Sequence, residues 1–187
     1  MDAVQQAKQP VTALAGPYGH PFHPMLVTVP IGAWVASLVF DIGSRIVDKP
    51  GFLSQGSEWL IGIGVLGALA AAMFGFLDLM AIPTGTRAFR VGLLHMGLNL
   101  LVTVGYAVNF AWRHGQYTHQ GQVGGGQLAL SIVSIAVLSA SGYLGGKLAY
   151  HYGVRVADER VQAEGFTDAD SLAPQTVGRP GDTGIAS

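Results

Sequence analysis

Residues 59–82, WLIGIGVLGALAAAMFGFLDLMAI, decide the fold. The stretch carries a single charge, Asp78. A helix needs roughly 20 mainly apolar residues to cross the hydrocarbon of a bilayer, and this one is long enough. A helix of this length on a soluble protein shows a polar face to water, and this stretch has none. It reads as a transmembrane helix. Three further stretches of similar length read the same way: Met25–Val47 with Asp41 and Arg45 near its far end, Val91–Trp112 with one His and two Asn, and Gln127–Tyr150 with only Lys147 charged.

The composition agrees. Of 187 residues, 10 are basic and 11 acidic, so 11% are charged, against roughly 25% in an average soluble protein. Mean hydropathy is +0.41. So few charges argue against a cytosolic enzyme. A net charge of −1 gives no basic field for a phosphate backbone, and no nucleic-acid partner is expected. The chain has no Cys, which excludes disulfides, zinc ribbons, cysteine-ligated iron–sulfur clusters and thiol nucleophiles. No G-x-S-x-G, H-E-x-x-H or P-loop pattern is present, so enzymatic chemistry has no motif to stand on.

Pro50, Gly51 and Gly56 separate the first two spans, Pro83–Gly85 end the second, and Gly121 with Gly124–Gly126 precede the fourth. Short connections predict antiparallel neighbours. The fold expected is an all-α integral membrane four-helix up-down bundle. Residues 1–24 form an N-terminal segment with no apolar run of its own, residues 25–153 the four-helix domain, and residues 154–187 a tail. That tail holds six of the eleven acidic residues, with Pro174 and Pro180, and too little apolar surface to fold alone. It is expected to be a disordered cytoplasmic tail.

Basic residues set the orientation. Lys8, Arg87, Arg90, Lys147, Arg155, Arg160 and Arg179 fall on the side of the termini, here called side A; Arg45, Lys49 and Arg113 fall on side B. The bias predicts a multi-pass protein of the cytoplasmic membrane with both termini in the cytoplasm. Trp59 and Trp112 fall at the side B boundary, where an indole ring sits in the apolar layer and its N–H in the wet one.

Ionisable groups inside a membrane are expensive and face the bundle interior. Steps of three and four along the third span give His95, Asn99, Val102, Tyr106, Asn109 and Arg113 on one face. The same steps along the first give His23, Val27, Pro30, Trp34, Ser37 and Asp41. Both spans run from side A to side B, so two polar layers are predicted. Side A gathers His20, His23, Asp78 and His95, with His151 at the edge and an Asp78–His95 contact. Side B gathers Asp41, Asn109 and Arg113, with His114 nearby and an Asp41–Arg113 ion pair. Asn99, Asp41, Asn109 and Arg113 are read as a structural polar core. Gly64, Gly67, Ala71 and Gly75, and Ser134, Ser141 and Gly145, are small residues that let helices approach in lipid. His114 and His119 flank Tyr117 in a polar loop and read as solvent-facing.

Three functions remain open. Two imidazoles at one depth, His23 and His95, suit the axial positions of a haem b, which would make the chain a small redox-associated subunit with a redox partner protein. His20, His23, Asp78 and His95 together suit a divalent metal such as zinc or iron(II), or a proton site in a transport module. A structural membrane partner without cofactor, or a homo-oligomer, accounts for the same residues as packing.

The segment His20-Pro21-Phe22-His23-Pro24-Met25-Leu26-Val27, with Pro30-Ile31-Gly32 and Asp41, resembles the opening of a bacterial membrane family known as domain of unknown function 2231. Gly75-Phe76-Leu77-Asp78, Ile82-Pro83-Thr84-Gly85-Thr86 and His95 with Asn99 resemble its middle. Gly145-Gly146-Lys147-Leu148, Tyr150 and Gly153-Val154-Arg155-Val156 resemble its close. The resemblance covers about residues 16–156 and implies four membrane helices in a bacterial cytoplasmic membrane. Some members are joined to a Rieske-type iron–sulfur domain, which this Cys-free chain does not contain. The family has no established activity to carry over.

Overall fold

The computed structural model describes residues 2–115 and 121–166. Two units are distinguished: residues 1–156, which hold all the long helices, and residues 157–187. In the first unit, α1 (Ala3–Lys8) and a 3-10 turn (Ala13–Ala15) precede α2 (His23–Leu26), α3 (Thr28–Gly43), α4 (Gly51–Ala81), α5 (Arg87–His114) and α6 (Gly125–Gly146). A π turn, Lys147–His151, continues α6. The second unit holds α7 (Glu159–Ala163) and a 3-10 turn, Glu164–Phe166, with the Gln162 amide donating to Ala157 O at 2.8 Å. The expected disorder at 167–187 and the loop residues Tyr117 and His119 lie outside the described residues.

Four stretches are long and apolar enough to cross a membrane: His23–Gly43, Gly51–Ala81, Arg87–His114 and Gly125–His151. The first joins α2 to α3. Pro30 has no N–H for Leu26 O, one turn back, and its ring crowds that carbonyl; the break at Val27 follows. The second span begins at Gly51, two turns before the expected Trp59. Its first turns carry Ser54, which donates to Gly121 O at 2.8 Å, and Ser57, whose hydroxyl is buried inside the bundle. Those polar groups are satisfied within the protein, so the helix need not wait for the apolar run. Thr86 starts α5 by accepting from Phe89 N–H at 3.1 Å, after a turn in which Gly85 takes φ +80°.

Each span packs on the next in sequence, and α6 returns to α3. The direction alternates: Ser57 near the start of α4 and Ser131 near the start of α6 meet Asp41 near the end of α3. Ala71 and Ser141, farther along, meet the histidines at the opposite ends of the first and third spans. The interior is small and polar, with Ser37, Asp41, Ser57, Asn109, Ser131 and Ser141 buried. Large apolar side chains face outward; Leu66 and Met73 are each 70% exposed. An outer belt of this kind suits lipid and is a liability in water.

The boundary expected at residue 154 moves. Val154 and Arg155 are buried. Val154 joins Ala7, Leu79 and Ile82 in an apolar cluster at the side A end, and Arg155 N–H donates to Ala7 O at 3.0 Å. The packed unit therefore runs to Val156. The reason is Arg155, which is buried against a partly buried acidic partner and so is not solvated tail.

Candidate functional site

Three tiers of side chains from the first and third spans meet along the bundle. The side B tier is a closed ionic network. Arg113 presents its fork to Asp41, Nη1 to Oδ1 and Nη2 to Oδ2, both at 2.7 Å. Asp41 is 0% exposed and Arg113 6%. The remaining valences are filled from every span. Ser57 donates to Asp41 Oδ1 at 2.5 Å and accepts from Arg113 Nη1 at 3.1 Å. Ser131 donates to Asp41 Oδ2 at 3.1 Å. Arg113 Nε donates to Asn109 Oδ1 at 2.8 Å, and the Asn109 amide donates to Ser131 Oγ at 3.0 Å and Gln127 O at 3.1 Å. A buried ion pair survives only when such bonds compensate its lost hydration, and no buried side-chain polar atom among the described residues lacks a partner. His114 lies outside the network, 3.0 Å from Glu58 Oε1.

The middle tier is aromatic. Trp34 stacks on Tyr106 with ring centroids 4.3 Å apart and planes within 11°. Both are buried, and each polar tip donates to a backbone carbonyl, Trp34 Nε1 to Ile61 O and Tyr106 OH to Ser131 O, both at 3.4 Å.

The side A tier is the histidine pair. His23 and His95 stand with ring centroids 6.3 Å apart and planes at 89°. His23 Nδ1 lies 2.9 Å from Ala71 O and His95 Nδ1 lies 2.8 Å from Ser141 O. A carbonyl only accepts, so the proton of each neutral ring sits on Nδ1 and the lone pair on Nε2. Asn99 Nδ2 donates to His95 Nε2 at 3.1 Å and to His95 O at 2.9 Å. Each ring lies against a glycine. A Cβ on Gly75 would stand 2.8 Å from His23 Cε1, and one on Gly145 would stand 3.0 Å from His95 Cε1. A side chain at Gly75 would displace the imidazole, and one at Gly145 would crowd it.

The other members expected at side A are held elsewhere. Asp78 does not meet His95; its Oδ1 accepts from Arg155 Nε at 2.8 Å. Arg155 Nη2 also donates to Ala15 O at 3.0 Å and Gly16 O at 2.9 Å, fastening the N-terminal segment to the second span. His20 is exposed, with Nδ1 3.4 Å from Tyr18 O, and His151 packs on Tyr152. The four residues His20, His23, Asp78 and His95 do not converge, and no group of three or more His, Asp or Glu among the described residues could hold a metal ion. Sequence reasoning missed Arg155 as the partner of Asp78 and Ser57 and Ser131 as partners of Asp41. Ser57 had a signal: it stands just before the second apolar run. Arg155 had none in its local pattern, because it is the second residue of what reads as tail; only the resemblance over Gly153–Val156 set it apart.

The family model described as "Predicted membrane protein (DUF2231)" matches residues 19–158, and the chain belongs to that family. No curated protein matches the chain, and no solved structure does.

Proposed function

We propose that this member of the DUF2231 membrane family is a small redox-associated subunit carrying one b-type haem between His23 and His95. The observation that carries the reading is the separation of the two rings. An ion midway between two imidazole nitrogens that point along the line joining the rings, about 2.0 Å from each, holds the centroids roughly 6–6.5 Å apart, and these stand at 6.3 Å. Both Nδ1 atoms are anchored on carbonyls of neighbouring spans. That second bond fixes ring orientation and raises the basicity of the other nitrogen. Gly75 and Gly145 add no side chain beside the two rings.

The ligand count favours haem over a bare divalent ion. Zinc or iron(II) held by protein alone takes three or four donors. A haem iron asks the protein for axial ligands only, and the described residues bring two imidazoles together with no third carboxylate or histidine. Holding the iron would require the Asn99 amide to release His95 Nε2. The excess of basic residues on side A supports cytoplasmic termini, which puts the pair near the cytoplasmic face, within reach of a redox partner there.

The test is a reduced-minus-oxidised spectrum of the full chain, expressed with supplemented haem and purified in detergent. Soret and alpha bands are expected, and each of His23→Ala and His95→Ala removes them. Absence of both bands in the unaltered protein overturns the reading. Bound metal without a porphyrin spectrum redirects it to a divalent-ion site.

A further inference from the structure

The three tiers share one number. His23 faces His95, Trp34 stacks on Tyr106 and Asp41 pairs with Arg113. The sequence offset is 72 each time (23 to 95, 34 to 106, 41 to 113). A second number recurs on the other two spans. His23 bonds Ala71 O and His95 bonds Ser141 O. Trp34 bonds Ile61 O and Tyr106 bonds Ser131 O. Ser57 and Ser37 touch where Gln127 and Asn109 touch, with the donor on the opposite span: Ser57 Oγ lies 3.1 Å from Ser37 O, whereas Asn109 Nδ2 donates to Gln127 O at 3.1 Å. The partners on the second and fourth spans differ by 70 in each case (71 to 141, 61 to 131, 57 to 127).

The glycine notches follow the same rule. His23 lies on Gly75 as His95 lies on Gly145, and Phe40 lies on Gly56 as Trp112 lies on Gly126. Phe40 and Trp112 are again 72 apart, and both glycine pairs 70 (40 to 112, 75 to 145, 56 to 126). The change from 72 to 70 is a shorter connection in the second half, between Gly115 and Gly121 against Gly43 and Gly51. Bundle packing brings residues of equal depth together. It does not require two donor-to-carbonyl contacts to repeat donor for donor, and two ring-on-glycine contacts to repeat ring for ring, at two constant offsets.

We infer that the four spans are two copies of one helix hairpin, residues 23–81 and 95–151, joined in tandem and packed about a twofold axis that runs along the bundle, and that the histidine site on this axis is built from two equivalent half-sites. Parallel repeats about an axis along the membrane normal are an established plan for membrane proteins. Each half-site supplies one imidazole, one carbonyl that orients it and one glycine that admits it. The ligand class that suits such a site presents two like faces to the two imidazoles, as a planar macrocycle does; this last step rests on the haem reading, whereas the duplication rests on the contacts alone. The copies diverge where one charge must answer another, Asp41 against Arg113, and beside the histidines, where Val27 of the first copy corresponds to Asn99 of the second.

Equivalent positions must respond alike. Gly75→Ala and Gly145→Ala, and Gly56→Ala and Gly126→Ala, are compared by thermal midpoint of the full chain in detergent. The expected result is equal shifts within each pair; shifts that diverge within both pairs overturn the duplication. As a second arm, Asp41→Arg and Arg113→Asp each alone abolish monodisperse protein. The exchange of both, with Ser37→Asn and Asn109→Ser, is expected to recover it. An exchange no better than its single variants, together with divergence in either glycine pair, also overturns the proposal. Haem content reports the half-sites separately: Gly75→Ala and Gly145→Ala each lower it, and full haem content in either variant overturns equivalence of the half-sites. An unaltered chain without haem removes the haem reading and leaves the stability arms to decide the duplication.

Discussion

The two ends of the bundle use polar side chains from the same two spans in opposite ways. At side B, Asp41 and Arg113 are bound to each other and to serine or asparagine from the surrounding spans until no valence is spare. At side A, His23 and His95 are each tied through Nδ1 to a carbonyl, with Nε2 carrying a lone pair. A saturated network has no bond left to offer a ligand, and its role is to hold helices in register. The two imidazoles are oriented, and the Nε2 of His95 is held only by the neutral Asn99 amide at 3.1 Å, a bond that a ligand can displace. Burial alone does not separate these roles; the bonds that fill each valence do, charge-assisted at side B and neutral at side A.

Breaking the saturated end has the largest expected effect. Asp41→Ala leaves the Arg113 guanidinium buried without its counter-ion, a loss of about 3–5 kcal/mol, read as disappearance of monodisperse protein in detergent. Replacing both partners together, Asp41→Leu with Arg113→Met, costs much less, because no buried charge is left behind. If the double variant is as damaging as the single one, the network does more than neutralise its own charges.

Arg155→Ala comes next. It removes a charge-assisted bond to Asp78 and the clasp on Ala15 O and Gly16 O, with a cost of about 2 kcal/mol. Limited proteolysis checks it, with faster cleavage expected between residues 9 and 22. Ser131→Ala follows at about 1–2 kcal/mol, since Asp41 Oδ2 keeps Arg113 and loses only one donor. Its thermal midpoint falls below that of the unaltered chain and stays above that of Asp41→Ala.

The smallest effect on stability is expected at the other end. His23→Ala removes one hydrogen bond to Ala71 O, about 1 kcal/mol, while abolishing the haem spectrum. The ranking therefore inverts between the two readouts. A stability loss at His23 as large as at Asp41 would make the histidines a second structural lock and erase the contrast.

Much of this architecture is readable along the chain. Span length and apolarity give four membrane helices, because hydrocarbon thickness and helix rise are fixed quantities. Steps of three and four place His23, Trp34 and Asp41 on one face and His95, Tyr106 and Arg113 on another, and equal depth follows from the shared direction of the two spans. The start of the second span is not readable. Ser54, Ser57 and Glu58 look like loop because a hydropathy pattern does not show that a serine is bonded inside. The partner of Asp78 is unreadable for a similar reason: His95 is at a plausible depth, and Arg155 lies 77 residues away in what reads as tail.

The amino-acid sequence by itself determined the solvent of this protein, the number and direction of its spans and the face on which each span carries its costly side chains. Those follow from periodicity and transfer energy, which are local. Only the tertiary structure decided which polar group answers which: Arg155 for Asp78, two serines for Asp41, and the carbonyls of Ala71 and Ser141 for the two histidines. Such choices depend on distances of a few ångströms between residues far apart in the chain. The backbone carbonyls that orient the imidazoles leave no mark in residue types at all.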